Sequence, residues 1–382
     1  MKKFLFALIS VFCLSSSLAA FEWGGLVKED FKYTSTDFTP ANNSFRQSNT
    51  ASIWFKEPLS PKGSWYIANQ ESYKYYLDFS NENKVFTSIF DIDLLKLSGQ
   101  VQVGNYNLST AIGRFSLSDL TGKVFNQTAD GIYLNLSRPS VNYGFYFGYT
   151  GFLNSLNVTM LDGNGVGQIG RDSIYSFAHK YIPISISVEV PNCFLNQTFK
   201  AQVNAFFDNE DNFQRYYLEL GLNGHIMGPL YYTAVSCFGF ANLNTISNFT
   251  TLNLQIFMGS ILRLKIGTDY ASGSQLIFKP FIGFTSYTAY YSSALPELSG
   301  VILPNVDLSL SFGNFYTSMN VSAVLGYPEN EIYLKGANAS LNLMYNVYSD
   351  LQIGLTGLYY YDIHTSGAEN YCSVNANISV SF

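Results

Sequence analysis

The chain has 382 residues, 21 of them Lys or Arg and 27 Asp or Glu, for a net charge of −6; 17% are aromatic and only 13% charged. An acidic balance argues against a nucleic-acid partner, which calls for a basic face. Soluble domains carry about a quarter charged residues, and a soluble chain this aromatic and this poorly charged would be prone to association, whereas a barrel in lipid needs no charged exterior.

At the start, Lys2 and Lys3 precede an apolar run, Phe4 to Leu14, and the small-residue segment Ser15 to Ala20. Residues 1–20 are expected to be a secretory signal peptide cleaved after Ala19 or Ala20, leaving one barrel domain, 21–382. A lipoprotein reading would anchor at Cys13, and bulky Phe12 before it disfavours this. The run falls short of the roughly 18–20 apolar residues a spanning helix needs, and no comparable stretch follows. Without the signal, 19 basic residues face 27 acidic ones, a charge of −8. Cys193, Cys237 and Cys372 remain, and so scattered and odd a set suggests neither a disulfide framework nor a metal site.

After residue 21 nearly every apolar segment alternates with period two and is broken by turn residues after about ten positions, the length of a tilted membrane strand. Ile184, Ile186 and Val188 oppose Ser185, Ser187 and Glu189. Phe199, Ala201, Val203, Ala205 and Phe207 oppose Lys200, Gln202 and Asn204, and Leu218, Leu220 and Leu222 oppose Glu219. Leu262, Leu264 and Ile266 oppose Arg263 and Lys265, and Val306, Leu308 and Leu310 oppose Asp307 and Ser309. None of these charges interrupts an apolar face. A soluble sandwich would alternate equally well, but it leaves the scarcity of charge unexplained.

Long connections are expected near residues 36–44, 79–83, 117–129, 152–172, 208–213, 242–247, 291–303, 326–337 and 362–370. Tight turns are expected near 58–63, 104–106, 138–140, 191–196, 224–228, 271–275, 313–314 and 347–350. This pattern makes an all-β, antiparallel transmembrane β-barrel of about 18 strands, with 16 as the main competing count. Met258, Gly259 and Ser260 offer one more turn, which would give nineteen strands. The even parity of such barrels favours instead one long strand, 248–270, bent at its glycine. Short turns would face the periplasm and long loops the exterior. The tyrosine clusters 73, 75 and 76; 231 and 232; 290 and 291; and 359–361 read as interfacial girdles.

The final ten residues alternate without a break, Val374, Ala376, Ile378, Val380 and Phe382 against Ser373, Asn375, Asn377, Ser379 and Ser381. Such a strand has a free edge that needs a partner. With Ile378, Val380 and terminal Phe382 it resembles the assembly signal of bacterial outer-membrane β-barrel proteins of the porin type. That resemblance implies that the last strand pairs with the first, and that the barrel-assembly machinery and outer-membrane lipid are partners. The short stretches Gly113-Arg114-Phe115, Asp119, Asp130-Gly131-Ile132 and Tyr270-Ala271-Ser272-Gly273 are similar to barrels of the alginate-export type and to related spirochaete-like outer-membrane proteins. They imply shared architecture, and the mixed charges here depart from the strongly basic lumen that alginate export would need.

Catalysis finds little support. His225 and His364 fall at opposite ends of the barrel, and His179 with Ser176 and Asp172 makes a Ser-His-acid set only on paper. No metal-ligand spacing and no cofactor motif appears. A barrel of 16–18 strands encloses water unless loops fill it, so the expected function is a porin-like channel for small hydrophilic solutes. Lys200, Arg215, Glu219, Arg263, Lys265, Asp307 and Glu189 are the candidate pore-lining residues, acting through rings of charge. The loop from Leu117 to Ala129 is a candidate constriction. The rival is an adhesin whose barrel supports binding loops such as 152–172 and 291–303. Association into a homotrimer is left open.

Overall fold

The computed structural model describes residues 21–36, 42–60, 64–80, 83–153, 175, 177–209, 214–274, 277–285, 300–326, 332–363 and 370–382. Residues 1–20, expected to be a signal peptide, lie outside them. Eighteen strands follow one another: β1 (Glu22–Thr36), β2 (Asn43–Pro58), β3 (Trp65–Ser80), β4 (Asn83–Val103), β5 (Tyr106–Ser118), β6 (Asn126–Arg138), β7 (Val141–Gly148), β8 (Tyr181–Phe194) and β9 (Gln197–Asp208). The second half comprises β10 (Gln214–Met227), β11 (Leu230–Ala241), β12 (Thr245–Met258), β13 (Leu262–Ala271), β14 (Val301–Phe312), β15 (Phe315–Gly326), β16 (Tyr333–Asn346), β17 (Leu351–Asp362) and β18 (Tyr371–Ser381). Each pairs antiparallel with its neighbours in sequence, and β1 pairs with β18, so the sheet closes and no edge is left open.

The closing seam runs from Leu26 opposite Ser381 to Thr36 opposite Tyr371. Its last bonds are Gly25 N–H to Phe382 O (2.8 Å) and Phe382 N–H to Gly25 O (3.0 Å). A Cβ on Gly25 would lie 2.3 Å from the Phe382 ring, so this glycine makes room for the terminal aromatic residue.

The count of eighteen is as expected, but two expectations inside it are corrected. Residues 248–270 are not one bent strand: β12 ends at Met258, and Gly259, in the left-handed region at φ 63°, turns the chain into β13. In place of the tight turn expected at 271–275 and the strand after it, described residues 272–274 and 277–285 are loop between β13 and β14. There Phe278, Phe281 and Phe284 recur every third residue, and Pro280 removes a ladder donor. Period three cannot hold one face of a strand. The two errors offset each other in the total.

Alternate residues share a face, so the apolar set of each strand points outward and the polar set inward. Leu218, Leu220, Val203, Ile186, Leu252, Ile266 and Val306 are exposed on the outer wall. Of the terminal tyrosine cluster, Tyr359 and Tyr361 face outward while Tyr360 is fully buried inside. The outer wall of β1 to β3 departs from this rule. Glu29, Gln47, Asn49, Asn69 and Glu71 lie on the face of Val27, Ile53 and Tyr73. Four of them are bonded in pairs, Gln47 Nε2 donating to Glu29 (2.9 Å) and Asn69 Nδ2 to Glu71 (3.0 Å), while Asn49 Nδ2 is buried without a hydrogen-bond partner among the described residues.

Between β4 and β5 the wall forks. Only Leu95 to Val103 of the 21-residue β4 pairs with β5. Arg114 fills the fork, its Nε and Nη2 on the two Asp130 oxygens (2.8 and 2.9 Å), Nη1 on Ile92 O (3.2 Å) and Nη2 also on Phe152 O (2.9 Å). A guanidinium suits this work because it offers five donors in one plane. The Gly113-Arg114 and Asp130-Gly131 stretches therefore hold a structural joint. Gly113 sits at φ 122°, where a Cβ would meet Leu95 O at 2.2 Å.

Candidate functional site: two loops folded into the barrel

A cluster of buried apolar side chains lies inside the barrel, at the loop ends of β5 to β18. Two connections build it. The first, residues 119–125 between β5 and β6, is knotted on Asp119. The carboxylate accepts Val124 N–H (3.1 Å) and Phe125 N–H (2.7 Å) on Oδ1 and Thr121 N–H (2.8 Å) on Oδ2, while Asp119 N–H donates to Phe125 O (2.8 Å). A carboxylate that gathers three backbone donors fixes a loop that has no ladder of its own. Leu120 N–H then bonds Gln202 Oε1 (3.1 Å) on β9, and Thr121 N–H bonds Glu219 Oε2 (3.3 Å) on β10, which pins the loop against the inner wall.

The second is the β13–β14 connection. It leaves the wall at Ser272, whose hydroxyl accepts Asn248 N–H (2.9 Å) and donates to Lys279 O (2.7 Å). It then runs inward onto the first loop. Phe284 and Thr285 N–H both reach Val124 O (2.8 and 2.9 Å), and Asn126 N–H bonds Thr285 Oγ1 (2.9 Å). A Cβ on Gly283 would stand 2.2 Å from Lys123 O, so only glycine lets the loops approach so closely. Phe284, fully buried, stacks on Phe206 at 3.9 Å and on Phe125 at 5.8 Å, with the Arg215 guanidinium 4.9 Å above it.

The predicted lining residues separate into two groups. Arg215 and Glu219 are 2% and 0% exposed, so they do not face open lumen; they are anchors beneath the loops. Arg215 donates to Gly283 O (3.1 Å) and Tyr181 OH (3.1 Å), and Glu219 accepts Asn204 Nδ2 (2.6 Å) and Thr121 N–H. Glu189, Lys200, Arg263, Lys265 and Asp307 do point inward, on registers that bring Glu189 opposite Lys200 and Lys265 opposite Asp307. Both couples form ion pairs, at 2.9 Å and 2.5 Å. Arg263 donates to Ser309 (3.3 Å).

Residues not singled out from the sequence also line the interior. Lys28–Asp30 (2.8 Å), Arg46–Asp78 (2.5 Å) and Lys74–Asp93 (3.2 Å) pair along the inner faces of β1 to β4. Alternation in those strands carried the signal, because each of these residues lies two positions from another inward polar one. Lys123, on the first loop, is half-buried; burial lowers its pKa, while the nearby Asp269 and Asp119 carboxylates act to raise it.

His179 contacts Asp208, Nε2 to Oδ1 at 2.8 Å, on a face shared with Tyr181. Ser176 and Asp172, the partners drawn for it from the sequence, lie outside the described residues, as do His364 and the loop segments 154–174 and 286–299. His225 bonds Gly228 O (2.6 Å) across a tight turn. Cys193, Cys237 and Cys372 are free thiols.

No protein-family model and no curated protein matches the chain in sequence. Solved structures match it along almost its whole length. Acinetobacter baumannii OccAB4 superimposes with a TM-score of 0.64 at 11% identity, over 96% of this chain and 99% of that one. Pseudomonas aeruginosa OccK11 (OpdR) gives 0.63 at 9%, over 95% and 96%. The outer membrane protein OpdK of P. aeruginosa gives 0.60 at 10%, over 94% and 99%. In fold, the chain is a closed eighteen-stranded antiparallel β-barrel, and it shares that fold with these solved structures, the outer membrane protein OpdK among them.

Proposed function

We propose that the protein is an outer-membrane channel through which small hydrophilic solutes diffuse passively, its lumen narrowed by the two docked loops. A single observation carries this reading. A closed barrel with an apolar outer wall has an inner wall of amides, hydroxyls and paired charges, and two connections fold into that interior instead of away from it. A barrel of this strand number is wide enough for water unless loops fill it, so the loops set the passage. Glu189, Lys200, Arg263, Lys265 and Asp307 act as its electrostatic lining. One similar structure, OpdK, is solved with vanillate, which fits a channel for small organic solutes.

The same reading makes lipid the partner of the outer wall and the assembly machinery the partner of Ile378, Val380 and Phe382. It leaves room for a homotrimer and assigns no catalytic step. The test is single-channel conductance of refolded 21–382 in a planar bilayer under a salt gradient. Stable steps of nanosiemens order, with a reversal potential that moves when Arg263 is replaced by Gln, are the expected result. A folded barrel without conductance would overturn the channel and favour surface binding by the outer loops.

A further inference from the structure

Below the first loop, on the side away from Phe284, the inner wall holds a recess of about 330 Å³ between β6, β7, β8 and β9. That lies within the size range of small-molecule sites, about 300–1,000 Å³. Leu117 and Leu120 line it from the loop side, and Leu120 is held in place by its N–H bond to Gln202. Gly144 opens the wall, since a Cβ there would come within 2.3 Å of Ser187 Oγ and 3.3 Å of Tyr133 OH.

The polar groups of this recess are unspent. Among the described residues, the Tyr133 hydroxyl, both side-chain amides of Asn135 and Asn142, and Ser187 Oγ line it without a protein hydrogen-bond partner. Its two charges, Lys200 and Glu189, neutralise each other at 2.9 Å, each about a third exposed, so each keeps further hydrogen-bonding capacity. The recess thus offers hydroxyl, amide, ammonium and carboxylate groups together with the Tyr133 ring, and no net charge.

We propose that this recess is a binding subsite for a neutral, polyhydroxylated solute, a sugar or sugar alcohol, on the route through the lumen. Vicinal hydroxyls both donate and accept, and the amides and the ion pair match both roles. An anion would have to displace Glu189 from Lys200 or lie beside it, at the cost of like-charge repulsion. The proposal rests on the channel reading for its place on a route, but binding itself is measured without transport.

Isothermal titration of the refolded chain in detergent with maltose, and with the sugar acid lactobionate, tests it. Maltose is expected to bind saturably and at least tenfold more tightly than lactobionate. The Asn135→Leu, Asn142→Leu double variant is expected to lose tenfold or more of the maltose affinity while keeping the barrel's heat-modifiable gel shift. Glu189→Gln, which leaves Lys200 uncompensated at nearly unchanged volume, is expected to shift the preference toward lactobionate. Absence of saturable maltose binding, a native preference for the acid, or a double variant that folds and binds like the native chain would overturn the subsite. Conductance in potassium chloride without sugar reports on the channel separately, so a subsite can fail while the channel stands, or the reverse.

Discussion

Replacing Phe284 by Ala would loosen the loops that narrow the barrel while sparing the wall. The ring is fully buried between Phe206, Phe125 and the Arg215 guanidinium, yet it belongs to no strand. Truncating a buried Phe to Ala costs about 3–5 kcal/mol, and here that cost falls on docking of the loop instead of on the ladder. Since about 1.4 kcal/mol is a factor of ten, the docked population should drop on the order of a hundredfold or more relative to the undocked one. The bonds of Phe284 N–H and Thr285 N–H to Val124 O, of Tyr217 OH to Ile282 O and of Arg215 to Gly283 O survive the change. The loop should therefore fluctuate between docked and released states. Single-channel records should show a larger open conductance with frequent partial closures, at an unchanged thermal midpoint of the barrel. A folded F284A barrel whose steps match the native ones in size and noise would refute the idea that these loops narrow the lumen.

Other expectations follow from the same contacts. Arg114→Ala strips Asp130 of its bidentate partner and leaves Ile92 O and Phe152 O without their donor, so unfolding in lipid vesicles should shift by about 3 kcal/mol, with Arg114→Lys recovering only part. Replacing Glu29 and Gln47 together by Leu removes a carboxylate and an amide from the outer wall; the double variant should be more stable by about 1 kcal/mol in vesicles, since charges there cost energy. A loss of stability instead would mean that a partner surface covers that patch. The lowered pKa of Lys123 means that it loses its charge at a less alkaline pH than an ordinary lysine. On raising the pH toward that range, cation preference in the reversal potential should grow earlier in the native chain than expected for an exposed lysine, and Lys123→Gln should remove that change.

Much of the wall was legible from the chain alone. Period two in residues such as 199–207 and 306–310 sets which side chains face lipid, because successive Cβ atoms point to opposite faces of any strand. The C-terminal alternation up to Phe382 likewise foretold closure against β1, since a strand with one apolar face and an unpaired edge has few other stable fates. The same local logic fails at 258–260, where a parity rule overrides a turn glycine, and at 271–275, where a tight turn is expected and the chain instead enters the inward loop.

What the local pattern could not reach is which inward residues face the open interior. Arg215, Glu219, Lys200 and Lys265 look alike as polar positions in alternating strands, and only the tertiary structure separates them. Arg215 and Glu219 lie under loops that arrive from 68 to 98 positions away in sequence, whereas Lys200 and Lys265 meet carboxylates on neighbouring strands through register. Strand faces follow from each residue's own geometry, but the docking of 119–125 against 277–285 depends on contacts between segments about 160 residues apart. No periodicity encodes such contacts; they are settled by the fit of Gly283, Phe284 and Asp119 inside the closed barrel.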